Sequence, residues 1–258
     1  MNTEFKNEWI LILGGSSGLG LASAKKMAAH GANICIVHRD RKADLETFTS
    51  EVETMRSLGV RVLTFNQDAL KAETIAEVIS AIPEKSVKIL LHSIAKGSLK
   101  PLTGDANEQL TREDLVITIN AMALSWLDWT QALIKENRFT ADTRNIAFTS
   151  EGNTKALPHY GAVSVAKASL EALMRQMAVE LASLCITTNC IQAGVTQTKS
   201  FNMIPGSEHI ASLAQKRNPF KRLTTADDVA NAVYLLAKNE ARWINGTIVK
   251  VDGGESLR

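Results

Sequence analysis

Short apolar runs alternate with longer, partly polar stretches along the whole chain. Residues 9–13 (WILIL) suit a strand buried on both faces. A glycine-rich turn follows at 14–20, and Leu19, Ala22, Ala24, Met27 and Ala28 then recur at the spacing of an amphipathic helix over 19–30. Gly31 supplies its C-terminal stop. The grammar repeats, with strands at 33–37, 60–65 and 87–91 and helices at 42–58 and 74–82, the latter stopped by Pro83. A long helix is expected from about 109–115 to 135, although Thr118, Ile119 and Thr130 are not favoured helix formers. Strands at 145–149 and 186–191 flank a helix at 159–182. Beyond them, 201–215 reads as a helical cover interrupted by Pro205 and Gly206. A helix at 226–237 is capped by Thr224 or Thr225, and 247–251 is the last strand.

Seven strands alternating with helices predict an α/β three-layer sandwich around a seven-stranded parallel sheet. No Gly/Ser linker or repeat divides the chain, so 1–258 is expected to be a single domain. The stretch from Gln192 to Thr224 is long enough to hold a mobile substrate cover, placed at about 195–224.

Composition narrows the function. The 258 residues carry 29 Lys plus Arg against 27 Asp plus Glu, a net charge of +2, which gives no support for a nucleic-acid partner. Cys35, Cys185 and Cys190 form no paired ligand spacing and read as reduced thiols, two of them in apolar runs. The five histidines show no metal-binding pattern, so no metal is expected. The first apolar run is too short for a signal peptide or a membrane span, making the cytoplasm the expected location and membrane insertion unexpected.

The candidate chemistry begins at Gly14, Gly18 and Gly20, spaced GxxxGxG after the first strand and before the first helix. Such a turn lets a diphosphate approach a helix N-terminus, with Ser16 and Ser17 as further donors; a bare strand-to-helix turn is the alternative. The missing GK[ST] ending argues against an ATPase-type phosphate loop. At the end of the second strand, Arg39 and Arg41 are candidates for pairing with a ribose 2'-phosphate, while Asp40 would suit an unmodified ribose. The expected cofactor is NADPH, with NADH as the less favoured reading.

Further motifs carry a resemblance. LGGSSGLG at 13–20, Asp68, Asn120, Tyr160, Lys167, AGVTQT at 193–198 and VDGG at 251–254 occur in the order found in the short-chain dehydrogenase/reductase family. The resemblance covers essentially the whole chain and implies a Rossmann-like fold. It implies cofactor contacts at Gly14, Ser16, Ser17, Gly18, Leu19 and Gly20, and at Asp68 and Ala69 on the adenine side. It adds Ser93, Ile94 and Ala95, and then Gly194, Val195, Thr196 and Thr198. Lys167 would hold the nicotinamide ribose, and Asn120 would support that lysine.

Val163 occupies the position four before Lys167 where most members place tyrosine; Tyr160 lies seven before it. That YxxxxxxK spacing, with HSIA at 92–95 and AKASLEA at 166–172, resembles the enoyl-acyl-carrier-protein reductase branch. The terminal DGGESL looks like an NADPH-dependent bacterial branch of these enzymes. Two residues seven apart lie on nearly the same side of a helix, about 10 Å apart along its axis. Tyr234, the only other tyrosine, reads as packing. The branch commonly has a second tyrosine ten residues before the catalytic one, and here that position is Ser150. The resemblance therefore implies Tyr160, Lys167 and Ser150 as catalytic residues.

The expected reaction is reduction of a trans-2-enoyl thioester, on acyl carrier protein or coenzyme A, in fatty-acid or related biosynthesis. Tyr160 would also contact the substrate, and Phe201, Met203 and Ile204 are candidates for covering the acyl chain, an ordinary core face being the equal alternative. Alternatives are a 3-ketoacyl or specialised-metabolite carbonyl reductase and a non-catalytic nucleotide-binding regulatory protein. Lys199, Lys216, Arg217, Lys221 and Arg222 are candidates for guiding an acidic carrier or a phosphopantetheine arm, though exposed lysines usually need no partner and a solvated face is the favoured reading. His92 reads as structural or cofactor-supporting. The resemblance further implies a homotetramer, with Trp126 and Trp129 on a helix that packs between subunits.

Overall fold

The computed structural model describes residues 3–105 and 108–258. Its first half runs β1 (Trp9–Leu13), α1 (Gly18–Ala29), β2 (Asn33–His38), α2 (Lys42–Ser57), β3 (Val62–Asn66), α3 (Ala72–Ala81) and β4 (Val87–His92). The second half carries α4 (Arg112–Ile119), α5 (Ser125–Lys135), β5 (Phe139–Ser150), α6 (Gly161–Glu180) and β6 (Ile186–Ala193). It ends with α7 (Lys199–Asn202), α8 (Ser207–Arg217), α9 (Ala226–Ala237) and β7 (Ile248–Val251). The strands form one all-parallel sheet in the order β3-β2-β1-β4-β5-β6-β7.

The apolar run of β1 is continuous because both faces of this sheet are covered. Ile10 and Ile12 join one core with Met27 of α1, Phe48 of α2 and Val233 of α9. Trp9, Leu11 and Leu13 point the other way, into a core with Val78 of α3, Trp126 and Trp129 of α5 and Met174 of α6. The alternation follows from the two-residue period of a strand. Trp126 and Trp129 are therefore core residues: their indole N–H groups donate to Asn145 Oδ1 (2.6 Å) and to the Ala69 carbonyl (2.9 Å). They are not available for an intersubunit contact. Among the described residues, no helix is long and apolar enough to cross a membrane.

The expected long helix over 109–135 is instead two helices joined by a wider π-type turn at Asn120–Leu124. Thr118 turns its hydroxyl back onto the Asp114 carbonyl (2.7 Å), and Ser125 does the same to Ala121 (2.9 Å), so hydroxyls compete locally with the helix ladder. β5 starts at Phe139, earlier than its apolar pattern suggests, because polar Thr143, Arg144 and Asn145 are buried with partners. The 201–215 segment divides at Gly206, whose φ of +75° favours glycine.

The strand order reverses between β1 and β4, which opens a crevice at their C-terminal ends. The turn after β1 is packed tightly there, and a Cβ on Gly20 would collide with the Gly14 carbonyl oxygen. Backbone rather than a flexible side chain blocks that methyl group. Gly20→Ala is therefore expected to cost about 1–3 kcal/mol of stability in chemical denaturation; an unchanged midpoint would contradict the packing described.

Candidate active site

A cavity of about 740 Å³ opens at the C-terminal edge of the sheet. Gly14, Ser16, Ser17, Gly18 and Leu19 line it from the β1 turn, and Asp68 and Ala69 from the β3 end. Ser93, Ile94 and Ala95 follow β4, while Gly194, Val195, Thr196 and Thr198 follow β6. The glycine turn, at the N-terminus of α1, suits a diphosphate-bearing group. Gly14 and Gly18 take φ of +84° and +54°, and a Cβ on Gly14 would lie 2.7 Å from the Ser93 carbonyl oxygen.

Ser150 and Tyr160 meet on the far side of this cavity, their hydroxyl oxygens 3.3 Å apart in a hydrogen bond that either can donate. Ser150 Oγ also accepts the Gly152 N–H at 3.0 Å. Gly152 is essential to this geometry, because a Cβ there would strike the Tyr160 ring. Gly152 carries no local signature in the sequence, because its close approach is to an aromatic ring eight residues on. Burial raises the Tyr160 phenol above its usual range, opposed by the Ser150 hydrogen bond.

Lys167 is buried two turns along α6, and its ammonium donates to the Phe148 carbonyl at 2.7 Å. Burial pushes it down to about 8, opposed by neighbouring anionic character. Of the two groups nearby, the Cys190 thiol is itself driven well up by burial and stays neutral, so Glu171 is the effective counter-charge. Glu171 accepts the Thr149 hydroxyl at 2.6 Å. His92 lies completely buried in the same region, with Nε2 2.9 Å from Ser125 Oγ. Since Ser125 donates to Ala121, His92 Nε2 carries the proton toward Ser125, and Nδ1 has no hydrogen-bond partner. His159 takes φ of +63° beside Tyr160 and joins none of these bonds.

Phe201, Met203 and Ile204 line the cavity as expected, joined by Ile210 and Leu213 from α8. Three expected cofactor residues do not line it. Gly20 is buried beneath the turn, where it serves packing; Asn120 is exposed at the start of the π-type turn; Arg41 is exposed outside the cavity. The basic residues of the cover are also more engaged than a guiding surface requires. Lys199 pairs with Asp44 (2.5 Å), Arg222 with Asp228 (2.5 Å), Lys221 with the Lys216 carbonyl (2.9 Å), and Arg217 turns inward to Glu151 and Glu255. Those two glutamates also escaped the sequence reading, since each reads as an ordinary loop charge.

A family model described as enoyl-(acyl carrier protein) reductase matches residues 14–256. The chain belongs to this reductase family. Among its curated relatives, a short-chain type dehydrogenase/reductase from Picea abies is 27% identical over 95% of this chain and 91% of its own length. An enoyl-[acyl-carrier-protein] reductase [NADH] from Haemophilus influenzae is 29% identical over 96% of this chain and 94% of its own. The crystal structure of an enoyl-(acyl-carrier-protein) reductase from Anaplasma phagocytophilum in complex with NAD superposes with a TM-score of 0.83 at 24% identity. It covers 100% of this chain and 95% of that one, and the fold of the family is shared throughout.

These findings overturn the expectation of NADPH. The enoyl reductases related to this chain, including that from Haemophilus influenzae and one from Rhizobium meliloti, are named as NADH enzymes. The site of this family member has a physical reason to agree. Arg39 is held 3.0 Å from Asp68, and Asp40 sits at the end of β2 receiving the Ser16 hydroxyl at 3.0 Å. Asp40 also faces His38 Nδ1 at 2.9 Å, so a carboxylate rather than a free guanidinium guards this end of the cavity.

Burial, reinforced by the positive charge of Lys167, pushes His92 down to about 3. Its ring is accordingly expected to show no titration shift by NMR between pH 8 and 5. Because the unfolded state alone binds this proton between about 6.5 and 3, stability contributed by neutral His92 is lost as pH falls through that interval. A midpoint near 6.5 in the folded protein would contradict this environment.

Proposed function

We propose that the protein is an NADH-dependent reductase of trans-2-enoyl thioesters, carried on acyl carrier protein or coenzyme A. The observation that carries the reading is Tyr160, seven residues before Lys167 and held over the cavity beside the end of β5. The chemistry NADH would supply when bound is a hydride for the β-carbon of the enoyl group. Ser16, Ser17 and the backbone of the glycine turn hold its diphosphate, with Asp40 as acceptor for the ribose hydroxyls. Lys167, its ammonium anchored on the Phe148 carbonyl, would orient the second ribose from the wall of the same cavity.

The chain's own task is to stabilise charge on the thioester oxygen. Tyr160 donates a hydrogen bond to that oxygen as it becomes an enolate, and its buried phenol keeps the proton needed to donate. Ser150 orients the Tyr160 hydroxyl in the position where the branch commonly places another tyrosine. The α-carbon then takes its proton from solvent. Phe201, Met203 and Ile204 line the cavity and would contact the acyl group.

Carbonyl reduction is the second reading, favoured by the Ser150–Tyr160 pair itself. A serine hydroxyl beside the donor tyrosine suits a carbonyl oxygen whose own carbon receives the hydride. Self-association is proposed on separate grounds: Val116, Ile117 and Leu124 are exposed by 57%, 55% and 42% along α4 and the π-type turn. An apolar face of that kind suits contact with a second copy.

Oxidation of NADH by the purified protein should occur with crotonyl and longer 2-enoyl thioesters and yield the saturated product. Turnover confined to matched 3-ketoacyl thioesters would transfer the assignment to carbonyl reduction. Tyr160→Phe should lower kcat by about 10²–10³ while NADH affinity, read by fluorescence titration, stays within a few-fold. An unchanged kcat would remove Tyr160 from the chemistry.

A further inference from the structure

Glu255 is a carboxylate in the turn after β7, with its side chain only 3% exposed. Its two oxygens are used by two different segments. Oε2 accepts the N–H of Val195 at 3.2 Å, just after β6 where the cover leaves the sheet. Oε1 accepts from Arg217 Nη2 at 2.8 Å, the last residue of α8. Arg217 Nη2 also reaches Glu151 Oε2 at 3.1 Å, next to Ser150, and Glu151 Oε1 is 2.6 Å from Lys155. One buried carboxylate thus grips both ends of the cover, and its guanidinium partner ties α8 to the strand end that bears Ser150.

The same helix presents its substrate-side surface at helical spacing: Ile210, Leu213, Ala214 and Arg217 all line the cavity. Fixing Arg217 therefore fixes the rotation and height of Ile210 and Leu213. We propose that Glu255 is a positioning residue for the substrate, acting through Val195 and Arg217 to hold the cover's apolar face over the cavity. It does not touch the reacting atoms. This role rests on the thioester reading above for its kinetic consequence, but the seating of the cover can be read without any substrate.

Glu255→Gln tests the idea sharply. A carboxylate offers an acceptor oxygen to each end of the cover, whereas an amide offers one oxygen and one N–H donor group. The variant must therefore set a donor against either Val195 N–H or Arg217. Hydrogen–deuterium exchange of peptides spanning 199–217 should accelerate about tenfold or more, with exchange in β1, β4 and α1 unchanged. With the thioester substrate, KM should rise about tenfold while kcat changes less than threefold.

Arg217→Met, which leaves the Glu255–Val195 bond in place, should accelerate the same peptides if the Gln variant proves too unstable to purify. Cover exchange that is unchanged, or that rises equally across the sheet, would overturn the proposal. So would a loss confined to kcat. Absence of turnover with every enoyl thioester would instead strike the enoyl reading, while the exchange data would still decide the role of Glu255.

Discussion

Lys167 is buried, yet its ammonium is anchored to the Phe148 carbonyl at 2.7 Å. A charged group in that position demands partners, and the partners it finds lie at the end of β5. The bond therefore clamps the first half of α6 against the strand that ends in Ser150. Tyr160, one residue before that helix, has little freedom left: it must lie beside Ser150, in the space that Gly152 leaves open. Glu171 completes the arrangement from the next turn of α6, holding Thr149 and facing Lys167 with a negative charge. Three consecutive residues of β5, from Phe148 to Ser150, are thus each bound to a residue at or along α6.

The parallel sheet was legible because β1, β2 and β4, buried on both faces, are mostly apolar runs, while β5 and β6 were harder to bound because they bury polar residues such as Arg144, Asn145 and Asn189. The site was legible where chemistry restricts the residue type, as at Gly14, Gly18, Tyr160 and Lys167. It was illegible where contact depends on distant chain segments. Gly152 matters only because the Tyr160 ring folds onto it, and Glu255 only because Val195 and Arg217 converge on it. Asn120 takes its place in the order of motifs, and the π-type turn leaves its side chain exposed.

Cofactor choice shows how a local charge run can be misread. Arg39 and Arg41 suggest a phosphate partner when counted in sequence, since neither has a neighbour to neutralise it except Asp40. In the fold, Arg39 pairs with Asp68, and Arg41 is exposed and does not line the cavity. The carboxylate of Asp40, in contact with Ser16 and His38, lies at this end of the cavity. The same lesson holds at the cover, where four of the five basic residues are occupied by partners within the chain.

The most direct test of the account follows the hydride itself. With NADH deuterated at C4 and an enoyl thioester in ordinary water, mass spectrometry and NMR of the product locate the label. The account predicts one deuterium on the β-carbon of a saturated thioester, with the new α-hydrogen drawn from solvent. Deuterium on a carbinol carbon from a 3-ketoacyl substrate, with none transferred to the enoyl compound, would contradict it.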